Sequence, residues 1–245
     1  MNVKIKLNRK LNISPILEAA IGYWKKTIGF QILFSVLYFG LLMVFATGLL
    51  QYLNLEPEIA KFQKIIADGQ LKNLNKAAEE LSKNEAMSYF ILGLSIIKAL
   101  LFPLNIGFYQ IYQKIDLQEP YKTSDLLAGY RGGTFFKFFG YALFWGIILS
   151  YLQIIPLFLP LLWMMLTLLV TPIMYFLNLN IFESIRLNWV ALRLHFVSLL
   201  MACFACVLFS YSGLLLFGIG YLVTFPFWNA MLYTLYKRLF IITKN

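Results

Sequence analysis

Long apolar runs are the feature of this sequence that most limits the folds it can adopt. Residues 28–50 form one such run, and comparable runs recur to the end of the chain. A bilayer span needs about 20 predominantly apolar residues. The chain is 60% hydrophobic and only 13% charged, whereas soluble domains average about 45–50% and about 25%. We therefore predict an integral membrane protein.

Nothing in the composition divides the chain, so we predict a single membrane domain over residues 1–245. No charged or Pro/Gly-rich linker separates two hydrophobic blocks. The first apolar run is too long for the core of a signal peptide and lacks a small-residue cleavage site after it, so we interpret it as a transmembrane helix. The two cysteines both lie inside one apolar run, and they predict no disulfide framework.

The apolar segments predict an all-α, polytopic membrane fold with six transmembrane helices in three hairpins. The six segments are, in chain order, about 28–50, 88–112, 134–155, 157–179, 195–214 and 217–240. An uncharged turn at 153–156 separates the third helix from the fourth, and the stretch GLLLFGIG at 213–220 carries the last turn.

Shorter amphipathic segments lie between the apolar runs. Three of them precede outgoing helices and predict short in-plane helices at the cytoplasmic surface: ILEAAIGYW at 16–24, SDLLAGYR at 124–131 and FESIRLNW at 182–189. Residues 54–86 form the only large polar segment, in which two amphipathic runs flank Asp68-Gly69 and predict an external helical pair. This extracytoplasmic insertion is either a packed cap or a docking surface.

The N-terminal region, residues 1–26, combines a basic arm with the first amphipathic helix. Val3, Ile5 and Leu7 alternate with Lys4 and Lys6, which is the periodicity of a strand. Two interpretations remain open at this point. The arm is a basic tail that lies against anionic lipid headgroups, or it is an extended strand that pairs with a partner.

The distribution of positive charge predicts the orientation of the chain. Both termini and residues 113–137 and 180–194 hold 15 of the 21 Lys and Arg residues, while segment 54–86 holds five, balanced by six acids. Cytoplasmic loops carry an excess of Lys and Arg. We expect a multi-pass protein of the bacterial inner membrane with both termini in the cytoplasm. This topology accounts for the net charge of +10, so nucleic-acid binding is not needed to explain it.

A weak threefold repeat runs through the sequence. Each amphipathic segment has an acid early and an aromatic residue near its end, and each returning helix carries a proline: Pro103, Pro172 or Pro226. Membrane folds built from repeats often keep such internal symmetry. The alternative is that hairpin units facing the same membrane simply look alike. The aromatic residues predicted at the membrane interface are Trp24, Tyr112, Tyr130, Trp189 and Tyr236.

Several stretches together resemble a bacterial membrane family without an established activity. They are PLNIGFYQIYQK at 103–114, TSDLLAGYR at 123–131, the Ile155-Pro156 turn, FESIRLNW at 182–189 and PFWNAMLYTLYKR at 226–238. On these residues the chain resembles the YciC-type inner-membrane proteins and the membrane domain attached to some glycerophosphodiester phosphodiesterases. The resemblance implies a six-helix membrane bundle and no particular activity.

Catalytic and metal-binding patterns are weak in this sequence. Cys203 and Cys206 have the spacing of a redox motif, but they lie mid-helix on a stripe of small residues, where close helix packing explains them better. His195 is the single histidine and cannot form a multi-histidine metal centre. We therefore expect no enzyme activity, no cofactor and no metal.

Lys98 marks the candidate polar site within the membrane. It lies in the middle of the second apolar run, where inserting a lysine costs about 2.5–3.5 kcal/mol. Either it snorkels outward or stays neutral among polar groups, or it faces the bundle interior and meets an anionic group. The residues grouped with it are Asn105, Asn229 and the three prolines Pro103, Pro172 and Pro226, whose kinks free the carbonyls of Ala99, Leu168 and Leu222.

These observations predict a non-enzymatic scaffold or membrane-homeostasis component that acts through contacts with lipids and partners. The expected partners are anionic membrane lipids and a protein partner or a second copy of the chain, with no nucleic acid. The alternative is a small transporter or flippase for an amphiphilic or anionic substrate, with its site at the kinked helices near Lys98.

Overall fold

The computed structural model describes residues 3–8, 10–69, 71–152, 158–215 and 218–244, and most of them are helical, as predicted. The α-helices are α1 (Ile13–Lys26), α2 (Ile28–Tyr52), α3 (Glu56–Ala67), α4 (Leu71–Ser82), α5 (Glu85–Leu101), α6 (Leu104–Asp116), α7 (Gly133–Leu152), α8 (Phe158–Thr167), α9 (Val170–Phe176), α10 (Ile181–Ser212), α11 (Tyr221–Thr224) and α12 (Phe227–Leu239). Two 3₁₀ helices cover Thr123–Tyr130 and Gly213–Leu215, and two strands are β1 (Val3–Leu7) and β2 (Phe240–Lys244).

The chain termini meet in an antiparallel pair of strands. Val3 lies opposite Lys244 and Leu7 opposite Phe240, and the Asn8 amide donates to the Leu239 carbonyl at 2.9 Å. The strand periodicity of the N-terminal arm therefore predicted its conformation, and its partner is the chain's own C-terminus. The all-α prediction missed β2, whose FIITK sequence contains β-branched residues that favour a strand.

By length and hydropathy, three helical segments among the described residues could cross a membrane: Ile28–Tyr52, Glu85–Asp116 and Ile181–Leu215. The count becomes four if the 3₁₀ helix Thr123–Tyr130 and Gly133–Leu149, which are bent by 70° relative to each other, form one span. This count does not reach the predicted six. One reason is that the fourth and sixth predicted helices are each broken into short pieces. The predicted turn at 153–156 lies outside the described residues.

Each returning helix breaks close to its proline. Pro103 and Pro226 cap the N-termini of α6 and α12, and Pro172 is the third residue of α9. Proline lacks an amide hydrogen and its ring collides with the carbonyl four residues earlier, so the preceding helix cannot continue unchanged. Proline is nevertheless well suited to the first turn of the helix that follows.

The segments that follow the three breaks pack together at the centre of the molecule. Helices α6, α9 and α12 all contact one another, and they contribute many of the buried side chains of the core. Each of the three is covered by an amphipathic segment. Helix α1 packs on α12, the 3₁₀ helix Thr123–Tyr130 packs on α6, and α10 packs on α9.

Helix α10 joins the third amphipathic segment to the fifth predicted span. The two parts meet at His195, whose backbone is non-helical (φ −135°, ψ 34°). This is the position where the sequence predicted the fifth span to begin. The buried His195 ring donates from Nε2 to the Asn8 carbonyl at 2.7 Å, so the kink also holds the chain that follows β1.

The polar insertion forms the predicted pair of helices, α3 and α4, which pack on each other. Gly69 makes the turn between them with φ +67°. The ion pair between Lys61 and Glu80 (3.1 Å) joins the two helices, but both side chains are more than half exposed, so it contributes little stability.

Candidate functional site

A partly open cavity with a volume of about 540 Å³ lies between the helices of the bundle. Side chains of α2, α5, α6, α7, α8, α9, α10 and α12 line it. Along α5 and α6 it runs from Ile91 to Tyr109, a distance of about 27 Å at the rise of an α-helix. Every predicted span therefore contributes to its wall.

The proline breaks explain why a cavity forms at this place. Beyond the breaks, α6, α9 and α12 all pack directly on one another. Before the breaks, α5 packs on α2 and α7, α8 packs on α7 and α10, and α11 packs on α2 and α10. The first halves of the returning helices thus pack on their outgoing neighbours, and the space between them stays open.

At each break, a side chain from a neighbouring segment forms a hydrogen bond with a backbone group. In all three cases that backbone group belongs to the residue three positions before the proline. The Tyr130 hydroxyl donates to the Leu100 carbonyl at 2.9 Å, and Trp24 Nε1 donates to the Val223 carbonyl at 2.9 Å. At the third break the Leu169 amide donates to Asn188 Oδ1 at 3.2 Å.

Asn188 makes two further bonds, from Nδ2 to the carbonyls of Met165 (3.0 Å) and Leu166 (2.6 Å). The residue that binds each break comes from the amphipathic segment packed on that returning helix. Because a freed backbone group in an apolar interior is costly, these bonds hold the broken helices in place.

The end of the cavity beyond the breaks is polar. Asn229 Nδ2 donates to Asn105 Oδ1 at 3.1 Å, which joins α12 to α6. The hydroxyls of Tyr109 and Thr171 share a hydrogen bond of 2.8 Å between α6 and α9. The Tyr109–Thr171 bond uses one of the two hydroxyl protons, and the Asn229–Asn105 bond uses one of the two hydrogens of the Asn229 amide. Further donors are therefore available to a molecule in the cavity.

Lys98 lies on the cavity wall, one turn before the break between α5 and α6, and its side chain is exposed. It is the single charged residue among the described residues that line the cavity. The four ion pairs of the described residues join other groups, and none involves Lys98. Among the described residues, therefore, no carboxylate of the cavity wall balances the charge of this lysine.

Ser210 adds a polar group that lacks a partner. Its side chain is only 7% exposed and lines the cavity from α10, and its hydroxyl oxygen has no hydrogen-bond partner among the described residues. A buried hydroxyl without a partner carries a desolvation cost. A polar molecule in the cavity would remove that cost.

Asp116 is the last residue of α6, and its carboxylate joins three helices through hydrogen bonds. It accepts hydrogen bonds from the hydroxyls of Tyr23 and Tyr233 and from Lys237 Nζ at 2.6 Å, which joins α1, α6 and α12. Burial, and after it the neighbouring Asp116 carboxylate, raises the pKa of Tyr23, so this hydroxyl stays protonated and donates.

A buried carboxylate, that of Asp125, positions the 3₁₀ helix on α6. It accepts from Lys114 Nζ at 2.9 Å and from the Lys122 amide at 2.8 Å. Burial raises the pKa of Asp125, but these hydrogen bonds and the charge of Lys114 outweigh burial, so the pKa lies below its ordinary value. The early acid of the amphipathic segment thus caps its helix and anchors it to the core.

The candidate polar site predicted from sequence is partly assembled. Lys98, Asn105 and Asn229 line one cavity, whereas Pro103, Pro172 and Pro226 act on the backbone at the breaks. Ala99 and Leu168, whose carbonyls the kinks were expected to free, also line the cavity.

The predicted interfacial aromatics have several different surroundings. Trp24 and Tyr130 bind the breaks, and Tyr112 and Tyr236 are buried by protein, so neither of these two can anchor the chain by contact with lipid. Only Trp189 is exposed, with the Arg193 guanidinium 4.7 Å from its ring centre.

Other cavity residues were not singled out by the sequence. Tyr141 and Trp145 on α7 and Thr167 on α8 line the cavity, and Trp145 Nε1 donates to Thr167 Oγ1 at 2.9 Å. The one available signal was that Thr167 is a polar residue in an apolar run. Cys203 and Cys206 are buried without a disulfide, as expected of residues on a packing stripe.

Comparison with family models, curated proteins and solved structures gives no match for this chain. Among the described residues, no group of three or more His, Cys, Asp or Glu side chains could hold a metal ion. The interpretation of the cavity therefore depends on its own chemistry.

Proposed function

We propose that the chain is a six-pass protein of the bacterial inner membrane with both termini in the cytoplasm. The six passes are α2, α5 with α6, α7, α8 with α9, the second half of α10, and α11 with α12. The pairing of β1 with β2 supports a common side for the two termini. The distribution of Lys and Arg supports the cytoplasm as that side. Membership of the YciC-type family fits this architecture and is part of the proposal.

Within this topology we propose that the protein is a non-enzymatic carrier of an amphiphile. The observation that carries the proposal is the cavity of about 540 Å³, which all six passes line and which contains Lys98. Ligand pockets commonly have volumes of about 300–1,000 Å³ and combine apolar walls with a few polar groups. A scaffold that worked only through its outer surface would not need such an interior.

The proposal is tested by filling the cavity from a position that tolerates a side chain. Gly146 lines the cavity, and an added Cβ would meet nothing within 4 Å. Gly146→Phe therefore introduces a bulky side chain at a cavity-lining position where its Cβ meets no other atom. Gly140 on the same helix is equally open and is not among the cavity-lining residues, so Gly140→Phe is the matched control.

The measurement is transbilayer movement of a fluorescent single-chain lysophosphatidylglycerol in proteoliposomes, followed by bleaching of the outer leaflet with dithionite. We expect the wild-type protein and Gly140→Phe to accelerate movement over protein-free vesicles, and Gly146→Phe to return it to the protein-free rate. Equal rates with and without wild-type protein, or equal effects of the two variants, would contradict the carrier function.

A scaffold role is the second candidate, and the exposed surface of α10 favours it. Phe182 is 72% exposed, Trp189 is 38% exposed, and Arg186 and Arg193 lie on the same segment. Exposed apolar and basic side chains on an amphipathic helix suit contact with anionic lipid or with a membrane partner. A partner that co-purifies stably, together with no amphiphile movement in the proteoliposomes, would favour the scaffold over the carrier.

A further inference from the structure

We infer that the molecule bound in the cavity is a single-chain acidic amphiphile, with its ionised head at Lys98 and its chain along the apolar wall of α5 and α7. The inference rests on the carrier function proposed above and adds the class of its ligand. Three properties of the cavity support it: the balance of charge, the supply of hydrogen-bond donors, and size.

The charge balance favours an anion. Lys98 brings one positive charge to a wall of described residues that includes no carboxylate. An unpaired charge in an apolar environment is costly, and a bound anion would offset that cost with a charge-assisted hydrogen bond. A cationic amphiphile would place a second positive charge in the same cavity, so the cavity discriminates against it.

The cavity wall also supplies hydrogen-bond donors that the protein does not use in full. The Ser210 hydroxyl has no partner among the described residues, and the Asn229 amide has a hydrogen beyond the one it gives to Asn105. The Tyr109–Thr171 pair can give one further proton. A carboxylate or phosphate accepts several hydrogen bonds and donates none when fully ionised, so it matches this set better than an alcohol does.

The size and shape favour one chain. A volume of about 540 Å³ suits one long alkyl chain with a small head better than a phospholipid with two chains. On the side of Lys98 away from the break, Ile91, Leu94 and Leu149 make the wall mostly apolar. Ser95 is a polar residue of α5 in this part, and its hydroxyl donates to the Ile91 carbonyl. We therefore place the chain between α5 and α7 in the first halves of the helices, and the head toward the polar end.

The test is a binding competition with the full-length protein in nanodiscs of phosphatidylcholine at pH 8.5, where a carboxylic acid is ionised. Tritiated hexadecanoate is the probe, and unlabelled hexadecanoate, hexadecanol and two-chain phosphatidylglycerol are the competitors, each expressed as a mole fraction of the lipid. We expect hexadecanoate to compete at least about tenfold better than hexadecanol, the ratio typical of one charged hydrogen bond. Phosphatidylglycerol should compete weakly.

Variants of Lys98 separate charge from structure. Lys98→Met should lower the affinity for hexadecanoate to the level of hexadecanol and leave hexadecanol unchanged, and Lys98→Arg should keep most of the preference for the acid. Lys64→Met, an exposed position on α3, is the control and should bind as the wild type does.

Each other result has a definite meaning. Equal competition by hexadecanoate and hexadecanol, or an equal loss of both in Lys98→Met, overturns the acidic ligand and leaves the carrier function standing. Competition by phosphatidylglycerol as strong as that by hexadecanoate overturns the single chain, because a two-chain lipid headgroup would then be the source of the charge. Absence of saturable binding, together with no effect of Gly146→Phe on transbilayer movement, overturns both proposals.

Discussion

Single residues determine whether the broken helices keep their geometry. Tyr130, Asn188 and Trp24 occupy comparable places in three amphipathic segments, and each binds a backbone group three positions before a proline. Their chemistry differs, since one is a phenol, one an amide and one an indole. What they share is a polar atom that reaches the break from a neighbouring segment. The sequence pattern, an aromatic residue near each segment's end, therefore did not identify this shared role.

Asn188 should be the most sensitive of the three, because it makes three hydrogen bonds to buried backbone groups. Asn188→Ala leaves those groups without partners, and we expect it to lower the free energy of unfolding by about 2–3 kcal/mol. Arg186→Ala, an exposed change two residues earlier on α10, should have little effect. The measurement is thermal or denaturant unfolding of both variants in detergent, and similar stability in the two would argue against a role for Asn188 at the break.

At the scale of elements, the 3₁₀ helix Thr123–Tyr130 lies unusually close to α6. A Cβ added at Gly107 would lie 2.2 Å from the Leu126 carbonyl oxygen, and one added at Gly129 would lie 2.0 Å from the Pro103 carbonyl oxygen. Both neighbours are backbone atoms that cannot move independently, so these two glycines set the distance between the elements.

Gly107→Ala should therefore separate the 3₁₀ helix from α6 and lower the free energy of unfolding by about 1–3 kcal/mol, as overpacking does. Gly140→Ala adds the same methyl group to α7 at a position with nothing within 4 Å, and it should be neutral or slightly stabilising. Limited proteolysis at the loop before Thr123 reports the separation directly. Equal protease resistance of the two variants would show that the close approach is unimportant.

The sequence predicted these elements unevenly. Proline chemistry predicted the kinks at Pro103, Pro172 and Pro226 because the missing amide hydrogen acts locally. The sequence pattern could not show that residues 123–130 form a 3₁₀ helix. That conformation depends on the close approach of this segment to α6 at Gly107 and Gly129. Lys98 could be recognised from the sequence because it is a charge in an apolar run. Whether Tyr141 and Ser210 line the cavity depends on which helix faces meet, and the sequence does not show that.

At the scale of the whole molecule, the units form a closed ring. Each hairpin ends in a returning helix that is covered by the amphipathic segment of the next hairpin, and the last one, α12, is covered by α1 of the first. The strands β1 and β2 join the ends of the chain at the same place. This cyclic order supports the threefold repeat predicted from the sequence better than the alternative of similar hairpins on one membrane, because independent hairpins need not close on one another.

A closed ring predicts that the chain can begin at a different hairpin. We consider a circular permutant in which a short Gly-Ser linker joins the termini and new ends open between Gln118 and Glu119, in the exposed loop after α6. Each hairpin crosses the membrane twice in the proposed topology, so the permutant keeps every segment on its original side. Termini that lie close together and an exposed loop are the conditions under which circular permutation succeeds.

We expect this permutant to insert into the membrane and to unfold within a few degrees of the wild type. It should also show the same sensitivity to Gly146→Phe in the transbilayer assay, because the cavity wall is unchanged. A permutant opened between Ile106 and Gly107, inside α6, is the control and should not fold, since that cut divides a helix of the central three. If opening the loop after α6 destroys the fold as completely as opening α6 itself, then the order of the hairpins matters, and the ring is a consequence of packing rather than of equivalent units.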